Sequence, residues 1–345
     1  MNIGINAMAA FKEPRTGVEE YSYQLIKHLA MLEGSKKHRF VLYSDKNLKW
    51  PLPMWTQIRL SAEMVFNRPD VLFIPVHVLP LVHPKNSVVT IHGLEYEYYP
   101  EMYLQKHRRY LRWSTKYALK NAHKIIAVSE NTKKDLVELY GGDPDKIYVI
   151  HHGVDIKRFN IGRDSTSEST KPYILYLGRL ETKKNVQGLV RAFELLKKRH
   201  QVPHQLILVG AQGYGYDKIK LEIRNSKFEI SELGYVSEEK KWQLLKNADM
   251  FIFPSFYEGF GIPILEAQSV GCPVITSNVS SMPEVAGQGA VLVESRNAEE
   301  ICQRMYQIIE DQDFKKRLIS QGYENVKKFS WQKCAQETLS VLTGL

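Results

Sequence analysis

Short apolar runs alternate with amphipathic segments along this chain, and that alternation limits its fold more than any other feature. In the first half, six runs have the length and composition of buried strands: residues 3–6, 40–43, 71–74, 88–91, 125–128 and 148–151. Between them, apolar residues such as Val18, Tyr21, Leu25 and Leu29 recur at helical spacing. Repeated strand-helix order predicts a parallel sheet covered by helices on both faces.

The same pattern restarts in the second half. A second strand series is predicted at residues 173–177, 206–209, 228–231, 250–253, 274–276 and 290–293. The polar, Ser/Thr-rich segment 156–171 between the halves has the composition of a linker. We therefore expect an α/β protein with two Rossmann-like doubly wound domains, 1–160 and 161–325. A final helical segment, 326–345, has Ser330 as its N-cap.

Composition and charge narrow the class of protein. The chain has 345 residues, of which 43% are apolar and 25% charged, so two globular cores of ordinary size are expected. Three scattered cysteines fit neither a disulfide framework nor a metal motif and favour a reducing cytoplasm. No signal peptide is evident at the N-terminus, and the most apolar run, 71–82, is too short to span a bilayer.

A formal net charge of +9 is compatible with nucleic acid, an anionic membrane or a polyphosphate substrate. No zinc-finger, RNA-binding or leucine-zipper pattern is present, so we expect no nucleic-acid partner. Residues 102–124 carry seven Lys or Arg residues and no acidic ones, interleaved with aromatic side chains. A helix there would bear a stripe made of Arg108, Arg112, Lys116, Lys120 and Lys124. The stripe fits either a peripheral contact with the inner face of a membrane or a solvated helix surface.

The chemistry is most concentrated at residues 255–266, SFYEGFGIPILE. A buried strand precedes this segment, Gly259 and Gly261 allow a close backbone approach, and Pro263 suits a helix start. Free N–H groups at such a helix start attract phosphate, while Glu258 and Glu266 can accept hydrogen bonds from sugar hydroxyls. Two glutamates at this spacing are common in ordinary strand-turn-helix units. Only together with the surrounding residues do they indicate a particular binding site.

In the context YEGFGIPILEA, this spacing resembles the E-x7-E signature of retaining family 4 glycosyltransferases. The resemblance extends to bacterial mannosyltransferases and related enzymes of polysaccharide biosynthesis. It implies the GT-B fold, in which two Rossmann-like domains face each other across a cleft and a C-terminal helix crosses back to the N-terminal domain. It also implies transfer of a hexosyl unit from GDP-mannose or a UDP-sugar to a glycan or lipid-linked acceptor, with no metal and no cofactor.

A second motif follows the first strand of the second half. In GRLETKK, residues 178–184, Gly178 permits a tight exit from the strand, and Arg179 and Lys184 supply two cations for a diphosphate leaving group. The motif resembles the family's diphosphate-binding motif, with Asn185 where glycine is common. We expect that difference to affect the backbone turn more than the charges, and we expect Lys183 to lie on the surface.

The resemblance assigns further donor contacts. The end of the second strand supplies Gly210, and the turn that contains Tyr235 and Val236 lies near the base. Glu258 and the backbone of Gly259, Phe260, Gly261 and Ile262 hold the sugar and phosphates, and Glu266 binds the ribose hydroxyls.

On the acceptor side, Gly17 opens a helix in a loop similar to the family's N-terminal glycine loop. His92 follows a strand and is expected to position the donor sugar or stabilise its developing positive charge. The family often has His-Asp-Leu here, whereas this chain has His92-Gly93-Leu94, so no role is carried over for that aspartate. Ser129 also ends a strand and is expected to line the site.

Three features or classes of protein offer alternative interpretations of this sequence. The Gly-rich stretch 210–215 suggests a dehydrogenase, but its G-x-x-G-x-G spacing is not the dinucleotide fingerprint, and a surface turn fits better. The Asp143-Pro-Asp145 sequence superficially matches a metal-binding DxD motif but is ordinary turn chemistry. A non-catalytic protein that binds sugar nucleotides remains open.

Overall fold

The computed structural model describes residues 1–13, 15–44, 55–155 and 171–344. The chain divides into two compact units, Met1–Gly153 with Phe329–Leu345, and Val154–Lys328. The predicted boundary between residues 160 and 161 and most of the predicted linker lie outside the described residues.

Unit 1 contains a six-stranded parallel sheet in the order β2-β1-β3-β4-β5-β6. Its strands are β1 (Asn2–Asn6), β2 (Arg39–Tyr43), β3 (Val71–Ile74), β4 (Ser87–Ile91), β5 (Lys124–Ala127) and β6 (Ile147–Val149). The helices between them are α1 (Gly17–Met31), α2 (Ser61–Phe66), α3 (Glu95–Tyr98), α4 (Gln105–Asn121) and α5 (Glu130–Tyr140). The central strands are uniformly buried because helices cover both sheet faces, which explains their unbroken Val, Ile and Leu content.

Short irregular helical turns connect these elements. Turns of 3-10 helix lie at Ala9–Phe11, Glu33–Lys37, Pro100–Met102 and Pro144–Lys146, and a π-helical turn lies at Trp55–Leu60. Asp143 caps the turn at Pro144–Lys146 by accepting a hydrogen bond from the backbone N–H of Asp145 at 3.0 Å. The Asp143-Pro-Asp145 sequence therefore forms a capped turn.

Unit 2 repeats the architecture with a second parallel sheet in the order β12-β11-β10-β7-β8-β9. Its strands are β7 (Tyr173–Leu177), β8 (Gln205–Val209), β9 (Ile230–Gly234), β10 (Met250–Phe253), β11 (Val274–Ser277) and β12 (Ala290–Val293). Its helices are α6 (Val186–His200), α7 (Tyr216–Asn225), α8 (Glu238–Asn247), α9 (Ile262–Ser269), α10 (Met282–Ala286), α11 (Ala298–Glu310) and α12 (Gln312–Val326). The predicted fold class is confirmed.

Two strand positions differ from the prediction. β9 begins at Ile230, two residues later than expected, and β6 ends at Val149 instead of continuing to residue 151. β9 is the edge strand of its sheet and is mostly exposed, so it lacks the apolar run that marks the central strands.

The last helix, α13 (Trp331–Thr343), belongs to unit 1. Ser330 is its N-cap and accepts a hydrogen bond from the N–H of Lys333 at 3.1 Å. Lys124 donates to the carbonyl oxygen of Gly344 at 2.9 Å at the opposite end, where the helix dipole favours a cation. Gly153 packs against the start of the helix, since a Cβ atom there would lie 2.0 Å from the backbone nitrogen of Trp331.

An ion-pair network lies at the start of β10. Asp249 accepts hydrogen bonds from His204 at 3.0 Å and from Lys315 at 3.1 Å. Burial acts to raise the pKa of Asp249, but these two partners outweigh it and the pKa falls to about 2. The network therefore joins β10 to α12 and to the segment before β8 through a charged carboxylate.

Replacing Asp249 by asparagine should make stability less dependent on pH. The folded pKa lies below the ordinary value of 3.8, so the carboxylate contributes stability above that value and loses it as the pH falls through the folded pKa. The contribution is about 2 kcal/mol and disappears between about pH 4 and about pH 2. Denaturant unfolding of wild type and Asp249→Asn should differ at neutral pH and converge in acid.

Asp217→Asn is the matched control, because Asp217 is exposed in the first turn of α7. It should change the free energy of unfolding by less than about 0.5 kcal/mol. A difference between Asp249→Asn and wild type that stays constant into acid would contradict the assigned ion pairs.

Candidate active site

The strand order of unit 2 reverses between β7 and β10. From β7 the chain proceeds outward through β8 and β9 on one side, and then returns to β10 and continues outward through β11 and β12 on the other. Loops that leave neighbouring strands at such a reversal point separate and open a crevice, which is where open parallel sheets bind ligands. Arg179 and Lys184 follow β7, and Glu258 follows β10. The predicted cations and carboxylate thus border the crevice.

The loop after β7 is held by close backbone packing. Gly178 has a φ of 152°, and the hydroxyl of Tyr176 donates to the carbonyl oxygen of Arg179 at 3.0 Å. Gly210, which ends β8, approaches so closely that a Cβ atom would lie 1.9 Å from the carbonyl oxygen of Gly178. The predicted glycines therefore fix the position of Arg179, whose exposed guanidinium pairs with no acidic side chain in the described ranges.

The Gly-rich stretch after β8 supports the same loop. Leu180 donates its N–H to Ala211 at 2.8 Å and accepts from Gly213 at 2.9 Å, which pairs the exits of β7 and β8. A Cβ atom on Gly213 would lie 2.7 Å from Cδ of Arg179. This stretch packs against the loop that carries Arg179. The close packing explains its glycines, which had suggested a dehydrogenase.

The backbone conformation at Asn185 explains why asparagine can replace the family's usual glycine. Its φ is 54°, in the left-handed region that glycine favours and asparagine tolerates better than most residues. Its side-chain amide donates to the carbonyl oxygen of Ser295 at 2.5 Å. The turn before α6 is kept, and the loop's cations are retained.

Lys183 is less exposed than expected. Its side chain is 20% exposed, close to the 15% of Lys184, and its ammonium lies 3.6 Å from Glu181. Its carbonyl oxygen accepts a hydrogen bond from the N–H of Phe256 at 2.9 Å, which connects the loops after β7 and β10. The expectation of a surface lysine was wrong, because the Lys183 side chain is four-fifths buried and its ammonium lies beside Glu181.

Lys184 and Glu258 form an ion pair across the reversal point, with Nζ and Oε1 2.5 Å apart. Both side chains are about seven-eighths buried, and the Lys184 ammonium lies 5.5 Å from the centre of the Phe253 ring. The two predicted residues are therefore in direct contact. A diphosphate would share or replace Glu258 as the partner of this cation.

Two serines that the sequence analysis missed hold the Glu258 loop. Ser281 donates from its hydroxyl to the carbonyl oxygens of Glu258 at 2.9 Å and Phe260 at 2.8 Å, and Ser280 also bonds to the Glu258 backbone. Gly261 follows with a φ of 108°, and α9 begins at Ile262, so Pro263 is its second residue. The segment 258–262 is thereby aligned with the start of α9, and Gly259 and Phe260 lie within it.

Glu266 lies one turn into α9 and pairs with a residue that was not predicted. Its Oε1 atom is 2.7 Å from Nζ of Lys241 on α8, and the same ammonium lies 2.9 Å from Glu238. Burial acts to lower the pKa of Lys241, but the two carboxylates outweigh this effect and raise it. No sequence signal identifies the pair, because it depends on how α8 packs beside α9.

Tyr235 and Val236 follow β9 at the same edge of the sheet. The N–H of Gly210 donates to the carbonyl oxygen of Gly234 at 2.8 Å, which connects this turn to the exit of β8. Tyr235 is 61% exposed and Val236 is partly exposed. Contact with a nucleobase stays a prediction for both residues.

In unit 1, His92 lies at the end of β4, as predicted. Its Nε2–H donates to the carbonyl oxygen of Pro75 at 2.7 Å, leaving Nδ1 as a lone-pair acceptor. Burial and the neighbouring His77 lower its pKa to about 3. The ring is therefore neutral at physiological pH and cannot stabilise positive charge as a carboxylate would.

Three aromatic neighbours of His92 were not predicted. The ring of Tyr21 lies 4.8 Å away, that of His152 5.6 Å and that of His77 5.8 Å, between ring centres. His77 and His152 follow β3 and β6, so their positions at strand ends were a usable signal. The cluster sets the orientation of His92.

Gly17 and Ser129 lie in different surroundings, one exposed and the other buried. Gly17 is the exposed first residue of α1, and a Cβ atom there would touch nothing within 4 Å. Ser129 is fully buried and caps α5, accepting from the N–H of Thr132 at 3.1 Å. Its observed role is structural, and contact of either residue with a sugar nucleotide stays a prediction.

The predicted basic stripe is not continuous. Arg108 and Arg112 both pair with Glu97, at 3.2 and 2.9 Å, and Lys124 lies in β5 and binds the end of α13. Only Lys116 and Lys120 of the five remain exposed on α4 without an ion pair in the described part of the chain. The stripe is interrupted because Glu97, which lies outside 102–124, pairs with two of its members, and contact with a membrane stays a prediction.

No helix in the described ranges is long and apolar enough to cross a bilayer. Nor do any three His, Cys, Asp or Glu side chains in those ranges form a group that could hold a metal ion.

Solved structures show the same architecture over the whole chain. HepE from Anabaena, in complex with UDP and glucose, matches with a TM-score of 0.76 at 18% identity and covers 100% of this chain and 99% of its own. WaaG, a glycosyltransferase involved in lipopolysaccharide biosynthesis, matches with a TM-score of 0.75 at 13% identity and full coverage of both chains. The fold is therefore the GT-B fold of two Rossmann-like domains, as predicted.

Two family models match the chain. The model "Glycosyltransferase Family 4" matches residues 15–158, and "Glycosyl transferases group 1" matches residues 157–325. Together they cover most of the chain, which therefore belongs to the family 4-like glycosyltransferases. The predicted enzyme class is confirmed.

Individual relatives are distant in sequence. O-antigen chain mannosyltransferase B of Escherichia coli is 26% identical, and the match covers 97% of this chain and 98% of that protein. O-antigen chain mannosyltransferase RfbU of Salmonella typhimurium (strain LT2) is 28% identical over 69% of this chain and 64% of its own length.

Proposed function

We propose that this glycosyltransferase moves a hexosyl unit from a nucleotide-diphosphate sugar to a glycan or lipid-linked acceptor. Mannose from GDP-mannose is the favoured donor, because relatives that match the chain are mannosyltransferases by name. A UDP-sugar is the second candidate, since HepE has been solved with UDP-glucose. The observation that carries the proposal is the Lys184–Glu258 pair at the reversal point of the unit 2 sheet.

The residues of unit 2 fit the loss of a diphosphate. As the bond between the anomeric carbon and the phosphate oxygen breaks, negative charge grows on the diphosphate, and Arg179 and Lys184 would neutralise it. Arg179 offers a planar fork and Lys184 a point charge. Glu258, released from Lys184 by the phosphate, can then accept hydrogen bonds from sugar hydroxyls.

In a single-step transfer with retention of configuration, the acceptor oxygen bonds to the anomeric carbon on the face that the diphosphate leaves. The acceptor's proton passes to the departing phosphate oxygen, so no protein base is required. His92 contributes as a neutral side chain that positions the donor sugar. The lowered pKa of His92 argues against a cationic role for the ring. Its main contribution is therefore to orient the donor sugar.

Substitution Glu258→Ala should reduce kcat by about 100-fold or more, because the carboxylate acts at the reacting sugar. Stabilisation of the protein by UDP or GDP in a thermal shift assay should persist, since Arg179 remains. Turnover of GDP-mannose and of UDP-glucose, followed by release of the nucleoside diphosphate, measures the first effect.

Glu239→Ala is the matched control, because Glu239 is an exposed glutamate on α8. Wild-type turnover in Glu258→Ala would contradict the proposed site. A wild-type protein that binds sugar nucleotides without transferring them to any acceptor would instead indicate a non-catalytic binding protein.

We further propose a metal-independent, retaining reaction, because two side-chain cations are available for the diphosphate. Turnover should be unchanged by EDTA, and proton NMR of the first-formed product should show the anomeric configuration of the donor. Loss of activity in EDTA that Mg²⁺ restores would refute metal independence, and an inverted product would refute retention.

Contact with anionic membrane is proposed for the outer face of α4. Tyr110, Trp113 and Tyr117 stack along it, with ring centres 5.8 and 5.3 Å apart, and Lys116 and Lys120 lie exposed on the same helix. Aromatic and basic side chains together suit a lipid headgroup region.

The double substitution Lys116→Glu and Lys120→Glu should reduce sedimentation with phosphatidylglycerol vesicles and leave the low binding to phosphatidylcholine vesicles unchanged. Lys36→Glu with Lys37→Glu makes the same charge change at exposed residues elsewhere in unit 1 and is the control. Equal loss in both double variants would indicate a net-charge effect and not a contact surface.

A further inference from the structure

The pair formed by Lys241 and Glu266 has a geometry that a simple surface ion pair lacks. Nζ of Lys241 lies 2.7 Å from Oε1 of Glu266, and the two side chains are only 20% and 14% exposed. The carboxylate of Glu238, one turn before Lys241 on α8, holds the same ammonium at 2.9 Å. Lys241 is therefore anchored on its own helix while it reaches across to α9.

The second carboxylate oxygen of Glu266 remains available. In the described part of the chain, Oε1 is the only atom of this carboxylate with a hydrogen-bond partner. A glutamate on a helix has three rotatable side-chain bonds, so an unpaired Glu266 would sample several directions. Contact with Lys241 selects one direction for the carboxylate.

We propose that Lys241 is a positioning residue, which holds Glu266 so that its other oxygen accepts hydrogen bonds from the ribose hydroxyls of the donor nucleotide. This inference rests on the proposed function, because it assumes a nucleotide ligand at the start of α9. It adds a residue from α8 to a site that the sequence motifs place only on the loops after β7 and β10 and on α9.

A purely structural role makes a different prediction. Mostly buried ion pairs contribute little net stability, since desolvation of both charges offsets their attraction. If Lys241 served only to join α8 to α9, its loss would affect every ligand equally. If it positions Glu266, its loss should matter only for ligands that carry ribose hydroxyls.

Isothermal titration of UDP, GDP and their 2′,3′-dideoxy forms to the full-length protein distinguishes the two roles. Lys241→Met should weaken binding of the ribonucleotide that wild type prefers by about ten-fold, the scale of one charge-assisted hydrogen bond. Binding of the dideoxy form should be unchanged. In turnover assays KM for the donor should rise with little change in kcat, as expected for an interaction made equally in the ground and transition states.

Lys240→Met is the matched control, because Lys240 is the preceding residue on α8 and its side chain is exposed. It should bind all four nucleotides as wild type does. Lys241→Arg keeps the ion pair and should preserve the preference for the ribonucleotide. If Lys241→Met does not fold, as judged by thermal unfolding, the same titrations are made with Lys241→Gln, which places a polar group in this mostly buried position.

Equal weakening of the ribose and dideoxy forms in Lys241→Met, or no weakening of either, would overturn the inference. So would a wild-type protein that binds both forms with the same affinity, since Glu266 would then not contact the ribose. A wild-type protein that binds no nucleoside diphosphate would overturn the proposed function itself, which is a separate outcome.

Discussion

The reversal of strand order between β7 and β10 is the constraint on which the site depends. Two parallel strands that lie side by side end at the same edge of the sheet, and their following loops diverge only where the chain changes direction. Lys184 and Glu258 are 74 positions apart in the chain but meet at this point, because each follows one of the two strands. Their contact neutralises a cation and a carboxylate that are both mostly buried and would be costly to bury alone.

Support for this pair comes from the backbone more than from other charges. Gly178, Gly210 and Gly213 allow the exits of β7 and β8 to pack closely enough to pair, which fixes Arg179 from behind. Ser281 holds the loop after β10 by bonding to two of its carbonyl oxygens. Small residues around the crevice thus set the positions of the charged ones, and a larger side chain at Gly210 would displace the loop that carries Arg179.

Prediction from sequence succeeded where a residue's role follows from its neighbours in the chain. The buried strands, the cap at Ser330 and the placement of Arg179, Lys184 and Glu258 after strands all follow from local patterns. It failed where a partner comes from elsewhere. The basic stripe was interrupted by Glu97 and by the end of α13, and the Lys241 partner of Glu266 was missed.

The sequence alone determined the two parallel α/β units, the family and the residues that face the crevice, because strand runs, glycines and charged motifs are local properties of the chain. Tertiary structure decided how those residues are paired and charged. His92 is neutral because it is buried beside His77, which follows β3, and Glu266 has one oxygen occupied because α8 packs beside α9. Desolvation and ion pairing depend on which elements become neighbours, and one-dimensional spacing does not encode that information.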